Sequence, residues 1–357
     1  MLKVGLVGAG YWGKNLIRNF VEYDGCVLKS VCDVDEKKLS KVKKRYPGIQ
    51  TTRYYLKLVR DKEIDAIVIA TNVGTHFELA KLALENGKHV FIEKPMARTS
   101  EKAAALVRLA NKNKLVLSVG HTFLYSPPVL KIKDIIQKNG IGKLYYISSS
   151  RVNLGIHRSD VSVVYDLAPH DFSILFFWLD EVPTMVSCVG YDYIQRGIPD
   201  VAFINLAFAS GVLAHIEVSW LAPSKLRRTT IVGEKKMILY DDTNAQEKVR
   251  VFDKGVEVLN PESFGEYQLS YRVGDIVIPR IEHTEPLANE VRHFCECIKT
   301  GKRPRSDGLD GFVVVNVLQA AERSLRNGGR METINWGSGL VKPNGNGRKK
   351  MKKVKTG

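Results

Sequence analysis

The chain has 357 residues, of which 44% are hydrophobic and 26% are charged. This balance is that of an ordinary globular protein, and the length exceeds what one hydrophobic core organises, so two domains are expected. No stretch approaches the roughly 18 consecutive apolar residues of a membrane span, and Met1 is followed directly by a strand pattern rather than by a signal peptide. We therefore expect a cytoplasmic protein with no membrane insertion.

The positive charge is unevenly distributed. The formal net charge is +16, and residues 341–357 supply seven Lys or Arg and no acid, which leaves +9 for the rest of the chain. A short tail of Gly, Asn and Lys has little apolar surface to bury, so we expect residues 338–357 to be disordered. The tail has no aromatic residues between its charges, which argues against a nucleic-acid-binding arm. The remaining charge favours anionic small molecules.

The spacing of the cysteines argues against two kinds of functional site. There are five, and the only close pair, Cys295 and Cys297, has a C-x-C spacing that fits neither a zinc site nor a C-x-x-C redox motif. We expect all five thiols to be reduced and structural, with no bound metal.

Residues 2–121 alternate short apolar runs with helical patterns. Val, Ile and Leu fill the runs, which is typical of parallel strands covered by helices on both faces. We therefore predict an α/β domain with a doubly wound parallel sheet of the Rossmann type over residues 1–121. The strand patterns cover residues 2–8, 26–33, 65–71, 89–94 and 115–121, and the helical patterns cover 13–23, 36–46, 75–87 and 100–114.

After a further helical pattern at residues 129–140, the strands become longer and follow one another through short turns. This arrangement predicts an antiparallel or mixed sheet. We expect an α+β domain over residues 122–337. Its strand patterns cover residues 143–154, 184–194, 201–209 and 212–221, and its helical patterns cover 166–179, 285–301 and 308–328.

A glycine-rich motif joins the first strand to the first helix. In a dinucleotide-binding loop, Gly8 forms the tight turn, Gly10 lets the backbone approach a pyrophosphate, and Gly13 lets helix and strand pack closely. Tyr11 and Trp12 belong to the same loop, and the free N–H groups of the helix start favour phosphate. The alternative is a glycine turn that binds no ligand.

Asp33 favours the dinucleotide interpretation. It ends the second strand 20 residues after Gly13, where a carboxylate accepts hydrogen bonds from the adenosine ribose and repels a 2′-phosphate. Val34 and Asp35 follow, with no adjacent Arg. The sequence therefore predicts NAD rather than NADP as the cofactor.

Further candidate ligand-binding residues come at the ends of the later strands, because a ligand of an open α/β sheet lies along the carboxyl ends of its strands. His121, after the fifth strand, is a candidate for the nicotinamide side, and Tyr125 for the substrate side. For His76 the alternative is a helix-cap or surface histidine. The other candidate cofactor ligands are Thr71, Asn72, Thr75, His76, Glu93 and Lys94.

Lys94 leaves the end of an apolar strand immediately before Pro95. A cation there can hydrogen-bond the oxygen of a hydroxyl group during oxidation and stabilise the negative charge that develops as hydride leaves. The alternative is a solvated surface lysine.

Asp166 and His170 are four residues apart, so on a helix they share a face. An imidazole can take the hydroxyl proton as hydride departs, and Asp166 can orient the imidazole or the substrate. A helix-surface ion pair is the alternative, and no third ligand accompanies them as a metal site would require.

Together the glycine loop, the Glu93-Lys94-Pro95 motif, the Asp166 and His170 pair and the two-domain order resemble the Gfo/Idh/MocA family of oxidoreductases. The resemblance covers all but the basic tail. It implies a Rossmann domain followed by an open, mostly antiparallel sheet that often makes oligomeric contacts, here a homodimer or homotetramer. It also implies substrate binding between the domains and a cis peptide before Pro95. Lys94, Asp166 and His170 match the family's catalytic positions.

Within that family, the residues around the Asp166 and His170 helix are similar to members that oxidise the C3 hydroxyl of UDP-N-acetylglucosamine or its uronate for surface polysaccharides. This resemblance implies an anionic UDP-sugar as substrate. Four side chains shortly before the helix are candidates to bind it, namely Arg151, Asn153, His157 and Arg158. Alone, each is equally interpretable as an ordinary loop residue.

Three other functions remain open on the sequence alone. One is the same chemistry on inositol, a free sugar or a deoxysugar. Another is an NAD-sensing regulator without catalysis, although such a protein has no need for Lys94, Asp166 and His170. The last is nucleic-acid binding through the basic tail.

Overall fold

The computed structural model of the chain describes residues 1–259, 268–337 and 339–341 and divides into two compact units. The first comprises Met1–Ser126 and Thr284–Asn316, and the second comprises Pro127–His283 and the segment from Val317 onward. The division after Ser126 lies close to the boundary predicted at residue 121. Residues 284–316 differ from the prediction, which placed them in the second domain.

The first unit contains a six-stranded parallel sheet of order β3-β2-β1-β4-β5-β6. Val, Ile and Leu of the central strands are buried on both faces, which explains their continuous apolar runs. The doubly wound sheet was predicted, but the short β3 was not. The strands are β1 (Leu2–Val7), β2 (Cys26–Cys32), β3 (Gln50–Thr52), β4 (Ala66–Ile69), β5 (His89–Glu93) and β6 (Leu117–Gly120).

The second unit contains a mixed, mostly antiparallel sheet of order β14-β13-β12-β11-β7-β10-β9-β8-β15. Only the β7 and β10 pair among these described strands is parallel. Its strands are β7 (Leu144–Val152), β8 (Pro183–Tyr191), β9 (Val201–Phe208), β10 (Leu213–Ser219), β11 (Leu226–Gly233), β12 (Met237–Asp241), β13 (Val249–Leu259), β14 (Gln268–Val277) and β15 (Glu332–Thr333).

Nine helices cover these sheets within the described residues, together with a 3₁₀ turn at Thr122–Tyr125. Helix α3 was not predicted from the sequence. The helices are α1 (Gly13–Glu22), α2 (Glu36–Arg45), α3 (Tyr55–Arg60), α4 (Val73–Glu85), α5 (Ser100–Lys112), α6 (Pro127–Gln137), α7 (Val163–Leu179), α8 (Pro286–Thr300) and α9 (Gly308–Arg326).

Helix α8 belongs to the first unit because its apolar stripe completes that unit's core. Phe294 lies edge-on to Phe20 at 6.4 Å and to Phe91 at 5.6 Å between ring centroids. Leu287 and Val291 are buried in the same cluster. The sequence shows that this helix has an apolar face but does not show which sheet that face covers.

Helix α7 packs on one face of the second sheet. The Ser162 side chain caps its start by accepting a hydrogen bond from the Tyr165 N–H, and Asp180 ends it in the left-handed conformation. Opposite faces of β9 differ in burial: Ile204 is buried, whereas Phe203 is 42% exposed. Within the described residues, α7 therefore covers one face of the sheet, and side chains such as Phe203 are exposed on the other.

Three further predictions concern the cysteines, membrane insertion and the C-terminal tail. All five cysteines are free and buried, as expected. No helix among the described residues is long and apolar enough to cross a membrane. The predicted disorder of residues 338–357 falls largely outside the described residues.

Candidate active site

The glycine loop between β1 and α1 has the space that a pyrophosphate needs. A Cβ on Gly8, whose φ is +100°, would lie 2.4 Å from the Ala70 carbonyl oxygen, and one on Gly13 would lie 1.9 Å from the Gly8 oxygen. Neither position accepts a side chain. By contrast, a Cβ on Gly10 meets no atom within 4 Å, so open space lies beside the backbone at the start of α1. The loop therefore fits the diphosphate of a dinucleotide. Tyr11 in this loop is 85% exposed, and Trp12 is partly exposed.

Asp33 is held directly beside this loop. One carboxylate oxygen accepts the Ala9 N–H at 2.7 Å, and the other accepts the Asp35 N–H at 2.9 Å. Lys38 lies 3.9 Å from the second oxygen. The side chain is buried and fixed, yet each oxygen retains a lone pair for a ribose hydroxyl.

The residues after β4 form a hydrogen-bonded turn. The Thr71 and Thr75 hydroxyls lie 2.7 Å apart, and the Thr75 hydroxyl donates to the Asn72 carbonyl. The buried His76 ring lies 2.9 Å from the Pro95 carbonyl and 3.1 Å from the Thr71 carbonyl. His76, predicted as a cofactor ligand, thus links the segments that follow β4 and β5.

Lys94 is half-buried at the end of β5, and the Lys94–Pro95 peptide is cis, as the family resemblance implied. Its positive charge acts on two buried neighbours, Glu93 and His121. The candidate cation therefore stands at the carboxyl edge of the sheet, on the opposite side of β1 from Asp33.

Behind Lys94 lies a buried group of polar side chains. Burial raises the pKa of Glu93 to about 7, against the opposing effects of the Lys94 charge and a hydrogen bond from Trp12. Burial and the Lys94 charge lower the pKa of His121 to about 3. Glu290 of α8 accepts a hydrogen bond from the Thr122 hydroxyl at 2.7 Å, and burial with the Glu93 charge raises its pKa well above the usual range.

Sequence reasoning missed Glu290 and Thr122. The signal for Glu290 was present, because it lies three residues after Leu287 and four before Phe294, on the apolar stripe of α8. A carboxylate at a buried helical position needs a chemical reason.

Tyr125 is not placed as predicted for a substrate residue. It is 1% exposed, its hydroxyl lies 3.0 Å from the Ser306 hydroxyl, and the Arg305 guanidinium lies 5.0 Å from its ring centre. Burial raises the pKa of its phenol above the ordinary range. Tyr125 packs inside the first unit.

The second unit brings several predicted residues together around Asp166. The Trp220 indole N–H donates to one Asp166 oxygen at 3.2 Å, and the Arg158 guanidinium lies 3.4 Å from the other. The His157 ring meets Trp220 edge-on at 5.4 Å. Trp220 was missed, because its role depends on the end of β10 meeting α7, which no sequence pattern signals.

His170 lies one helical turn after Asp166 and is half-buried, and Asn153 is half-buried beside Gly155. Asp166 and His170 therefore share a face of α7, as the spacing predicts. A carboxylate and an imidazole are groups that can accept or donate a proton.

Arg151, predicted to bind substrate, is a buried residue of the second unit that pairs with Asp171. It is 5% exposed, and its Nε donates to Asp171 at 2.6 Å. The Ser149 hydroxyl donates to the same carboxylate at 2.8 Å. Arg151 is therefore a structural partner of α7.

No group of His, Cys, Asp and Glu within the described ranges could hold a metal ion.

Comparison with known proteins defines the class. Residues 2–121 match the family model described as an oxidoreductase family with an NAD-binding Rossmann fold. The chain is thus an oxidoreductase whose first domain binds NAD. Residues 129–239 match the GFO/IDH/MocA C-terminal domain. The chain belongs to the GFO/IDH/MocA family.

Relatives that align with most of the chain include dehydrogenases of polyols and sugars. A scyllo-inositol 2-dehydrogenase of Bacillus subtilis is 25% identical over 339 residues, covering 91% of this chain and 93% of that protein. A UDP-N-acetylglucosamine 3-dehydrogenase of Acidithiobacillus ferrooxidans is 25% identical over 249 residues, covering 68% and 75%. A solved structure of that activity from the same organism has a TM-score of 0.77 at 23% identity, covering 92% of this chain and 98% of that one, and shows the shared fold.

Proposed function

We propose that this enzyme oxidises a secondary hydroxyl, at C3, of a nucleotide-linked sugar such as UDP-N-acetylglucosamine or UDP-N-acetylglucosaminuronate. The observation that carries this proposal is the cluster on α7, where Asp166 and His170 share a helix face and Arg158 contacts Asp166. A proton acceptor beside a guanidinium suits a hydroxyl substrate with an anionic group. The relative from Acidithiobacillus ferrooxidans supports this substrate class.

In the proposed reaction, Lys94 hydrogen-bonds the hydroxyl oxygen and stabilises its developing negative charge. His170 accepts the hydroxyl proton, while Asp166 orients the imidazole or the substrate. NAD, when bound, supplies the hydride acceptor. The sugar carbon loses a hydride and its oxygen loses a proton, so the product is a ketone.

The proposed cofactor ligands follow from the geometry of the first unit. The Gly8 to Gly13 loop would hold the diphosphate, and Asp33 would hold the adenosine ribose. Trp12 and Glu93 lie at the same edge of the sheet as Lys94.

A ketone at C3 is a substrate for transamination, so an aminotransfer step on a surface-polysaccharide precursor is the class of reaction that would consume it.

A second candidate substrate is a free polyol. It is favoured by the inositol dehydrogenase relatives, since the Bacillus subtilis protein aligns with 91% of this chain against 68% for the nucleotide-sugar enzyme. The test is NADH formation with UDP-N-acetylglucosamine, its uronate, UDP-glucose, myo-inositol and glucose. Turnover confined to the UDP-sugars supports the first proposal, and turnover confined to inositol or glucose contradicts it.

The open face of the second sheet is the proposed contact of a homodimer or homotetramer. Phe203, Leu213 and Tyr146 are between 42% and 59% exposed on neighbouring strands. Exposed apolar side chains on adjacent strands are typical of protein contacts.

The five free thiols fit the reducing cytoplasm, where we place the enzyme.

A further inference from the structure

The buried polar group behind Lys94 leaves several hydrogen-bonding atoms unused. Glu93, His121 and Glu290 are 8%, 1% and 0% exposed. Among the described residues, Oε1 of Glu93, both ring nitrogens of His121 and Oε1 of Glu290 have no hydrogen-bond partner. Buried polar atoms without partners are costly, so an internal site with this many of them calls for a function.

The position of Glu93 is tightly constrained. It pairs with Gly120 across β5 and β6, and a Cβ on Gly120 would lie 2.9 Å from the carboxyl oxygen of Glu93. The groups that face it are Lys94 on its own strand, Trp12 from the glycine loop and Glu290 from α8. Because the backbone of β6 lies against the carboxyl, Glu93 cannot swing away to find water.

The three buried groups differ in the direction in which their surroundings shift the pKa. Burial and the Glu93 charge raise the pKa of Glu290 well above the usual range, which favours its neutral form. His121 is neutral, since burial and the Lys94 charge lower its pKa to about 3. Glu93, with a pKa raised to about 7 by burial, is the titrating group.

Glu93 also stands on the side of the sheet where the nicotinamide half of a dinucleotide belongs. The strand order places β2, which ends at Asp33, on one side of β1 and places β4, β5 and β6 on the other. A dinucleotide whose ribose meets Asp33 and whose diphosphate meets the loop after β1 extends over β4 to β6. The oxidised nicotinamide ring is a cation, whereas the reduced ring is neutral.

We propose that Glu93 distinguishes the two oxidation states of the cofactor, releasing its proton when NAD⁺ binds and keeping it when NADH binds. Within its buried site, the ionised carboxylate stabilises the cationic ring, and the neutral carboxyl suits the reduced ring. Glu290 and His121 keep the surroundings neutral, so that Glu93 alone carries the change. The inference rests on the NAD-dependent reaction proposed above.

The direction of the pH effect follows from linkage. Bound NAD⁺ lowers the pKa of Glu93 below its value of about 7 in the free protein. The affinity for NAD⁺ is therefore highest above about pH 7 and falls by up to about tenfold for each pH unit below it. The affinity for NADH lacks this decline.

The test is calorimetric titration of the full chain with NAD⁺ and with NADH, in buffers of low and high ionisation enthalpy. The difference between buffers gives the protons released. At about pH 6, we expect close to one proton to be released with NAD⁺ and none with NADH, and at about pH 8 little release with either cofactor. Release of no proton with NAD⁺ at the lower pH would overturn the proposal.

Three substitutions test which side chain releases the proton. Glu93→Gln should abolish the release, whereas Glu290→Gln should retain it, because Glu290 is already neutral. Glu296→Gln, at an exposed position of α8, the helix that also carries Glu290, is the matched control. Release that persists in Glu93→Gln, or disappears only in Glu290→Gln, contradicts the assignment to Glu93. Absence of any NAD⁺ binding would count against the proposed function, whereas binding without proton release counts only against this inference.

Discussion

His170 and Lys94 are the two residues on which the proposed chemistry depends. Each is half-buried, so it is shielded from bulk water yet accessible to a ligand. His170 lies one turn after Asp166, which Trp220 and Arg158 hold in place. The imidazole is thus presented by a helix whose neighbouring acid is already fixed.

We expect His170→Asn to lower kcat by about 10²- to 10⁴-fold, the usual contribution of a general base. Lys94→Ala should cost about 10²- to 10³-fold, because the developing oxyanion loses its cation. Both effects are measured as steady-state NADH formation, with His283→Asn, an exposed histidine, as the control. Wild-type turnover in either variant would remove that residue from the mechanism.

The role of a single residue was predictable where local backbone geometry determines it. It was less predictable where contacts formed only in the folded protein determine it. Gly8, Gly13 and Asp33 were predictable because a strand, a turn and a helix start demand them locally. Arg151 was predicted to bind substrate, whereas its role in the fold follows from its position on β7. The alternation of β7 puts it on the same face as Ile147, toward α7, and this period-two pattern was available in the sequence.

At the scale of elements, the buried ion pair between Arg151 and Asp171 fixes α7 to β7. Asp171 follows His170 directly, and its carboxylate receives hydrogen bonds from Arg151 and Ser149. The pair thereby sets the rotation of α7 about its axis. That rotation determines the direction in which Asp166 and His170 point.

Arg151→Met is therefore expected to destabilise the protein by about 3–5 kcal/mol, because it leaves the buried Asp171 carboxylate without its cation. Urea unfolding followed by circular dichroism measures the loss. A double variant, Arg151→Met with Asp171→Leu, should recover part of it, since both charges are removed together. Arg326→Met, which breaks an exposed pair with Glu322, is the control and should change stability little. Equal stability of Arg151→Met and the wild type would contradict a structural role.

Helix α8 shows that a sequence pattern can predict the limits of a helix without predicting its packing partner. Its limits were predicted within a residue or two, as was its apolar stripe. The partner of that stripe was not predictable, because periodicity defines a buried face without naming the surface that covers it. The first unit recruits α8 from a distant part of the chain, and Glu290 arrives with it.

At the scale of the whole molecule, the second sheet has an exposed face that no described part of the chain covers. Phe203 stacks on His215 with ring centroids 6.3 Å apart, and Leu213 lies on the same face. Leaving such side chains in water costs roughly 25 cal/mol for each Å² of apolar surface. A second copy of this chain would cover them.

We expect the protein to be a dimer or tetramer in solution and Phe203→Glu to shift it toward the monomer, since the new carboxylate would be buried unpaired beside Glu217. Light scattering coupled to size-exclusion chromatography measures the mass. Tyr54→Glu, an exposed aromatic position of the first unit, is the control. A monomeric wild type, or a variant of unchanged mass, would show that this face is not the contact.

In the proposed reaction, hydride leaves C3 of a UDP-sugar for NAD. The most direct measurement uses UDP-N-acetylglucosamine with deuterium at C3 and follows both the label and the rate. We predict that deuterium appears in the reduced cofactor, that the hydride-transfer step slows, and that the sugar product carries a ketone at C3. Reduced cofactor without deuterium, or oxidation of inositol with none of the UDP-sugars, would contradict the assignment.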